Sequence, residues 1–255
     1  LNPQHLAARN NLALLLASAR ADAAAAEAAL RVAVREESGR VQGEGVTSEV
    51  AAASAAMDNA GLASVHCNLG LLLHAARGDA DGAEAALRRA VELDPHHSRA
   101  LCSLGALLKT ARCDYDGAEA CYRSALQADD ANTSARLNLG VLLAEVRGDG
   151  HGAVECYQSI LRLDLHPYPG RRVYANAHYN LGLALKQHWG DLIGAELAYR
   201  RALSSDRDHA SAHWNLSLLL EARGDVRGAE AEAAEFLRCH HAQGGPERDL
   251  KGTVA

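Results

Sequence analysis

The chain has 255 residues, is dominated by alanine, leucine, glutamate and arginine, and carries 4% aromatic residues and a formal net charge of −6. The acidic balance excludes a general nucleic-acid-binding surface, which needs a basic face, and no apolar run is long enough to span a bilayer. Six cysteines spread periodically through a chain of this size favour reduced thiols in an intracellular compartment, the cytoplasm first, over a secreted disulfide framework.

The beginning of the chain matches a later segment. LNPQHLAARNNL at 1–12 aligns without gaps with LDPHHSRALCSL at 93–104. We therefore expect the sequence to start at the closing proline of a preceding unit, Pro3, and to belong to a longer array. Because the first residue is Leu1 and not Met, the lack of a signal pattern excludes no organelle. A first helix pair is predicted over residues 6–40.

An insertion follows at residues 41–62. Its start is rich in glycine and reads as a turn. Thr47 to Met57 is predicted as a short helix of its own.

Five further units share one pattern, and their leucines mark the period. The spacing is 35 residues except for one step of 42, where seven residues are inserted at about 165–172. The units are residues 63–97, 98–132, 133–167, 175–209 and 210–243, and the marker leucines are Leu69, Leu104, Leu139, Leu181 and Leu216.

Within each unit the sequence predicts two helices and a turn. In the first of the five, leucines on one face begin a helix at about Leu69, and Gly78 lets the chain leave that helix. Asp79 or Asp81 caps the second helix. Pro95 closes the unit, since proline cannot continue a helix.

These positions resemble the tetratricopeptide repeat, whose pattern is a Leu-Gly pair, an Ala, an aromatic residue or Leu, a second Ala and a Pro. The resemblance covers residues 1–243 in six copies and leaves 244–255 as a tail. The repeats are similar to those in the repeat arm of O-GlcNAc transferases. It implies an all-α, right-handed superhelical solenoid of antiparallel helix pairs, forming one domain. One departure is an extra residue near the end of the first helix in four or five copies, which we expect to tilt or bulge the helix. The matching residues are Leu69, Gly70, Ala83, Leu87, Ala90 and Pro95.

An asparagine precedes the marker leucine in five of the six copies, with Ser103 at that place in the remaining one. The resemblance implies that this part of the first helix faces a concave groove. A carboxamide both donates and accepts hydrogen bonds, so such a column is able to hold the backbone of an extended peptide. The alternative is that asparagine is simply common there in this family. The column is Asn11, Asn68, Asn138, Asn180 and Asn215.

Helical spacing adds further candidates for the peptide-binding groove. The cations are suited to an acidic or C-terminal carboxylate and the aromatic residues to an apolar pocket; solvated lysines and core aromatics are the competing interpretation. The carboxylate clamp of chaperone-binding family members is matched only in part, with Ser103 in place of an Arg, so we predict no chaperone-tail binding. These candidates are Arg99, Lys109, Tyr179, Lys186 and Trp214, with His74 beside them.

Several motifs favour ordinary structural roles. Arg-Gly-Asp recurs at 77–79, 147–149 and 223–225, at the turn between helices, which argues against an integrin ligand. Adjacent histidines at His96-His97 and after Cys239 point apart on a helix, so no metal site is predicted.

The cysteines that recur in successive units, Cys67 with Cys102 and Cys121 with Cys156, are predicted as interior thiols because packed helices lie too far apart for a disulfide. In the second insertion, Tyr168, Arg171 and Arg172 form either a partner contact or a plain spacer.

No phosphate loop, nucleophile elbow or HExxH motif occurs. We therefore predict a non-catalytic scaffold without cofactor or metal, which binds another protein or peptide, binds no nucleic acid and does not insert into a membrane. A place within a multi-subunit complex is compatible with this prediction. Two alternatives stay open: the repeat arm of a larger enzyme such as a glycosyltransferase, and a structural subunit of a large assembly.

Overall fold

The structure is a computed structural model that describes residues 23–38, 48–162 and 171–242, with side chains at 24–32, 59–162 and 172–242. These ranges hold eleven helices and no strand, which confirms the predicted all-α repeat fold. Asn11, Pro3, Tyr168, the Arg171 side chain and the tail 244–255 lie outside them. The helices are α1 (Ala23–Ser38), α2 (Ser48–Leu72), α3 (Ala80–Leu93), α4 (Ser98–Leu107), α5 (Tyr115–Ala128), α6 (Thr133–Leu142), α7 (Gly150–Arg162), α8 (Arg171–Trp189), α9 (Leu192–Ser205), α10 (Ala210–Ala222) and α11 (Val226–Ala242).

The chain divides into two compact units, Leu1–Ala135 and Arg136–Ala255, with the boundary inside α6. Helices α1 to α5 belong to the first unit, and α7 to α11 belong to the second. A single domain over residues 1–243 stays a prediction.

The two helices of a repeat pack through small residues set against one large side chain. On α5, Ala118 and Ala125 are fully buried, and Tyr122 between them is 1% exposed. Gly105 on α4 faces that ring so closely that a Cβ there would lie 2.8 Å from a ring carbon of Tyr122. The pairing of a glycine with a large side chain therefore fixes how near α4 and α5 approach.

In the five repeats from residue 63 onward, the second helix is capped by an aspartate. The Asp79 carboxylate accepts a hydrogen bond from the backbone N–H of Gly82 at 2.9 Å, which decides between the two candidate caps. Asp81 instead forms an ion pair with Arg112 of the next repeat. The same cap recurs at Asp114, Asp149, Asp191 and Asp225.

The extra residue in the first helix is accommodated by a π-turn. Residues Leu73–Arg77 form a π-helical turn, and Asp79 N–H donates to the Leu73 carbonyl, six residues back. In α10, whose asparagine-to-aspartate spacing is one residue shorter, Asp225 N–H reaches only to Leu220. The predicted bulge is confirmed as a widened turn, since a π-turn holds one more residue than an α-turn. Equivalent π-turns lie at Leu108–Arg112 and Leu143–Arg147.

Both insertions are partly helical. The prediction of a separate short helix from Thr47 to Met57 is wrong, because one 25-residue helix, α2, runs from Ser48 to Leu72. That stretch is rich in alanine and contains no proline, so nothing interrupts the helix. In the second insertion, Arg171 and Arg172 form the first turn of α8.

Candidate functional site

In the first unit, two of the predicted groove residues contact each other. The Arg99 guanidinium, in the first turn of α4, donates a hydrogen bond of 2.9 Å to Asn68 Oδ1 on α2. Asn68 is buried at 6% exposure, whereas Arg99 is exposed. The amide at this column position is thus held by the following repeat.

The remaining candidates of this unit lie on α4 and in the two π-turns that follow α2 and α4. Lys109 is half-buried within the π-turn Leu108–Arg112. Ser103, which takes the asparagine's place in this repeat, donates its hydroxyl hydrogen to the Arg99 carbonyl at 2.8 Å. His74 is exposed in the preceding π-turn.

In the second unit, Asn215 on α10 is oriented by two hydrogen bonds. Its Nδ2 donates to the Tyr179 hydroxyl at 3.1 Å and to the Ser211 carbonyl at 3.0 Å. The Tyr179 ring packs 4.9 Å from the His209 ring and 5.9 Å from the Tyr199 ring. Burial raises the pKa of the Tyr179 hydroxyl, which therefore stays protonated. The half-buried ring packs against the core cluster that includes Tyr199 and Leu216.

Trp214 lies against the last helix. Its ring is 5.2 Å from the Phe236 ring on α11, and Phe236 in turn is 5.6 Å from His240. The half-buried indole therefore joins α10 to α11.

Asn138, Asn180 and Lys186 are all half-buried on the first helices α6 and α8. Asn138 has an interaction partner. The side chains of Asn180 and Lys186 make no hydrogen bond or ion pair with any residue for which side chains are described. The donor and the acceptor of the Asn180 carboxamide are thus both unused within the described part of the chain.

Sequence reasoning missed how the first helices begin. His97 Nδ1 accepts from the Ala100 N–H at 3.1 Å, and its Nε2 donates to Ser64 Oγ of the preceding repeat at the same distance. His209 bonds Ala212 and Asn176 in the same way. Because a backbone N–H only donates, Nδ1 of each of these rings is the unprotonated nitrogen, and Nε2 carries the hydrogen.

A third cap, Asn132, stands in for the histidine. Its Oδ1 accepts from the Ala135 N–H, and its Nδ2 donates to Ser98 Oγ at 2.6 Å. The sequence contains a signal for these caps, since His97, Asn132 and His209 each precede a marker leucine by seven residues. The helix cap and the contact with Ser64 together use both ring nitrogens of His97.

Ion pairs connect neighbouring repeats at the turns. Arg77 of the first Arg-Gly-Asp pairs with Glu27 on α1 at 2.7 Å, and Arg223 of the third pairs with Glu196 on α9. Arg112, at the equivalent place, pairs with Glu84 at 2.8 Å. These arginines therefore join helices.

Ion pairing and burial shift the pKa of several ionisable groups in the described part of the chain. Hydrogen bonds from Arg112 and Arg88 lower the pKa of the Glu84 carboxyl, so it stays ionised at neutral pH. Within residues 23–38, 48–162 and 171–242, no three His, Cys, Asp or Glu side chains group as they do around a metal ion. All six cysteines are free, with Cys67 and Cys102 buried, and burial raises the pKa of the Cys67 thiol.

No helix in the described part of the chain combines the length and apolar character that a bilayer crossing requires.

Comparison with known structures shows the same fold at low identity. PilF of Pseudomonas aeruginosa is 24% identical with a TM-score of 0.63, over 73% of this chain and 78% of PilF. BtubC of P. vanneervenii is 22% identical with a TM-score of 0.64, over 90% and 95%.

YrrB, a tetratricopeptide protein described as having an unusual peptide-binding site, is 19% identical with a TM-score of 0.50, over 71% of this chain and 91% of YrrB. No curated protein sequence matches the chain. Sequence profiles described as tetratricopeptide repeat match residues 63–97, 106–164 and 190–242. With the helix pairs and the joints between repeats described above, these matches show that the chain belongs to the tetratricopeptide repeat family and is a protein-interaction scaffold.

Proposed function

We propose that this scaffold is non-catalytic and holds an extended peptide segment of another protein along its first helices. The observation that carries the proposal is the Asn180 carboxamide, which is half-buried on α8 and bonds to no residue with a described side chain. A half-buried amide with unused hydrogen-bonding capacity is costly unless a ligand or water completes it.

The next repeat supplies a complementary atom. Because both hydrogen bonds of Asn215 use Nδ2, its Oδ1 is the atom available to a peptide N–H. Asn180 is able to accept from one peptide group and donate to another. Hydrogen bonds to the peptide backbone make recognition tolerant of side-chain sequence, while Lys186 on the same helix as Asn180 favours an acidic segment or a C-terminal carboxylate.

Three further observations support the proposal. YrrB, which shares the fold, is described as having a peptide-binding site. Carboxylates such as Glu84 are engaged in ion pairs between helices and stay ionised, which suits a scaffold better than acid–base catalysis. The six free thiols favour a reducing, cytoplasmic location.

A displayed library of random 12-residue peptides, selected on the whole chain, tests the proposal. Fluorescence anisotropy then compares each selected peptide on the parent chain and on Asn180→Ala. We expect the variant to bind about five- to thirty-fold more weakly, because one or two hydrogen bonds of about 1 kcal/mol each are lost.

Asn59→Ala is the matched control, since Asn59 is an exposed carboxamide on α2 outside the asparagine column. It should bind the peptides like the parent chain. The thermal melt of Asn180→Ala should stay unchanged, because the side chain has no described partner to lose. Equal binding by the parent chain and Asn180→Ala overturns the proposal.

A further inference from the structure

The second helix of one repeat exposes large apolar side chains. On α9, Ile193 is 74% exposed and Leu197 is 51% exposed. Leu192 beside them and Trp189 at the end of α8 are 40% and 43% exposed. We call these four residues the α9 patch; they belong to the second unit, and the three on α9 lie on a different helix from the asparagine column.

The fold does not require apolar residues at these places. The position of Ile193, two after the capping aspartate, holds Asp81 and Asp116 in two other repeats. The position of Leu197 holds alanine in the same two repeats, at Ala85 and Ala120. Since the same helix pair forms with polar or small residues there, the exposed Ile and Leu have another role; clustered exposed apolar residues mark interaction sites.

Trp189 extends the patch at the turn. Four repeats carry an arginine two residues before the capping aspartate, and Trp189 replaces it in this one. Its partner position changes as well, because Val154 stands on α7 where the other repeats have a glutamate. The Trp189 ring packs edge-on to the His151 ring of α7, with ring centroids 5.0 Å apart. A charged joint has thus become an apolar one beside the patch.

The charge beside the patch is positive. Residues 171–205 hold five Lys or Arg residues and two Asp or Glu residues, in a chain of net charge −6. Glu196 is already paired with both Arg200 and Arg223. Arg201 is exposed, and no carboxylate in the described part of the chain pairs with it.

Arg201 follows the patch on the same face of α9. Ile193, Leu197 and Arg201 are each four residues apart, so they form one stripe about 12 Å long. Two apolar turns followed by an unpaired cation complement a helix with an apolar stripe that ends in a carboxylate.

From this patch and its charge, we propose that the α9 patch is a second interaction surface, which binds an acidic amphipathic helix of a partner protein. The apolar stripe of that helix lies against Ile193 and Leu197, and its carboxylate pairs with Arg201. The surface does not depend on the asparagine column, and neither proposal needs the other.

Three synthetic 18-residue peptides provide the probe: a leucine-faced amphipathic helix flanked by glutamates, the same helix flanked by lysines, and a scrambled acidic peptide. Fluorescence anisotropy measures their binding to the whole chain. We expect the acidic helix to bind at least about fivefold more tightly than either of the others, since a partly exposed ion pair contributes about that factor.

Two variants test the contacts. Ile193→Asp with Leu197→Ala gives α9 residues that two other repeats already have, so it should fold and should bind the acidic helix roughly tenfold more weakly. Arg201→Glu, the residue found at the equivalent Glu235, should reverse the preference toward the lysine-flanked helix. The matched control Val32→Ala, on the exposed side of α1, should change nothing.

Several results overturn the proposal. One is equal binding of the acidic helix by the parent chain and the Ile193→Asp, Leu197→Ala variant. Another is a preference for peptide charge that Arg201→Glu leaves unchanged. A third is concentration-dependent dimerisation in analytical ultracentrifugation that the double variant abolishes, because the occupant would then be a second copy of this chain. Asn180→Ala should leave binding of the acidic helix unaltered, which separates this surface from the peptide groove.

Discussion

Cys113 occupies a backbone position that suits glycine. Its φ of 55° makes it the one non-glycine residue with positive φ in the described ranges, where equivalent turns have Gly78 and Gly148 at 65° and 66°. A side chain in this left-handed region is strained by about 1 kcal/mol or more. We expect Cys113→Gly to raise the free energy of unfolding by about 0.5–1 kcal/mol, measured by urea denaturation.

The reverse substitution is the control. Gly148→Ala places a Cβ in open space, with no atom within 4 Å, so any loss comes from the backbone angle alone. It should lower the free energy of unfolding by about 1 kcal/mol. A less stable Cys113→Gly protein would contradict the argument.

Two half-buried histidines on the first helices make stability depend on pH. Burial lowers the pKa of His66 and of His178, and nearby Arg89 and Arg201 respectively lower it further. The Nδ1 atom of each is buried without a described hydrogen-bond partner. As pH falls, the two rings are protonated in the unfolded chain before they are protonated in the folded one. The stability that the neutral rings allow is therefore fully present above about pH 6.5 and is lost as pH falls through the lower folded-state pKa.

His178→Leu should therefore reduce the acid sensitivity, since leucine stands at the equivalent Leu101 in another repeat. Urea midpoints at pH 8.0 and pH 5.0 measure the effect: the difference between the two should be smaller in the variant than in the parent chain. An unchanged difference would show that protonation of His178 does not contribute.

At the scale of the element, the π-turn makes one residue dispensable. Removing Ala76 turns NLGLLLHAARGD at 68–79 into NLGLLLHARGD, which has the spacing of NLSLLLEARGD at 215–225 in α10. We expect the deletion to change the free energy of unfolding by less than about 1 kcal/mol, because the helix then ends in an ordinary α-turn. Urea denaturation and far-UV circular dichroism measure it.

The matched deletion is Ala85, in the middle of α3. It turns the following residues by about 100° around the helix and takes Leu87 and Ala90 out of the core. Several kcal/mol should be lost. If both deletions were equally harmful, the π-turn would not be the place where the extra residue is stored.

How much the sequence predicts differs between elements. The helix pairs and the bulge at Leu73–Arg77 follow from a 35-residue period, because a repeat must place the same residues in the core each time. The uninterrupted α2 was missed because its first half lies in the insertion, outside the 35-residue period, so the repeat pattern does not show that it continues into the first helix of the next unit. The repeat pattern also does not predict hydrogen-bond partners at the site. The asparagine column indicates which helix face carries Asn215, but the Tyr179 hydroxyl that orients Asn215 belongs to another repeat.

In the whole molecule, each repeat is stabilised by contacts with the repeats next to it. The loss of a core side chain should therefore destabilise the compact unit that contains it and leave the other unit folded. Tyr122→Ala removes a ring that is 1% exposed in the first unit, and Tyr199→Ala removes a fully buried ring in the second. Each should cost about 3–5 kcal/mol. Hydrogen exchange followed by mass spectrometry should show lost amide protection in 80–128 for the first variant and in 171–222 for the second.

The reciprocal pattern is the control. Residues 171–222 should keep their protection in Tyr122→Ala, and residues 80–128 should keep theirs in Tyr199→Ala. If either variant lost protection over both ranges together, the two units would unfold as one cooperative body.

The joints between repeats also constrain how the gene can change length. Arg77 with Glu27 and Arg112 with Glu84 are chemically alike. A tandem duplication of residues 98–132 would therefore present each new copy with a compatible neighbour, and should yield a folded chain one repeat longer. The joint of His151 with Trp189 has no such equivalent. A duplicated 175–209 would set a second tryptophan against Glu196, so this repeat is keyed to its place in the order.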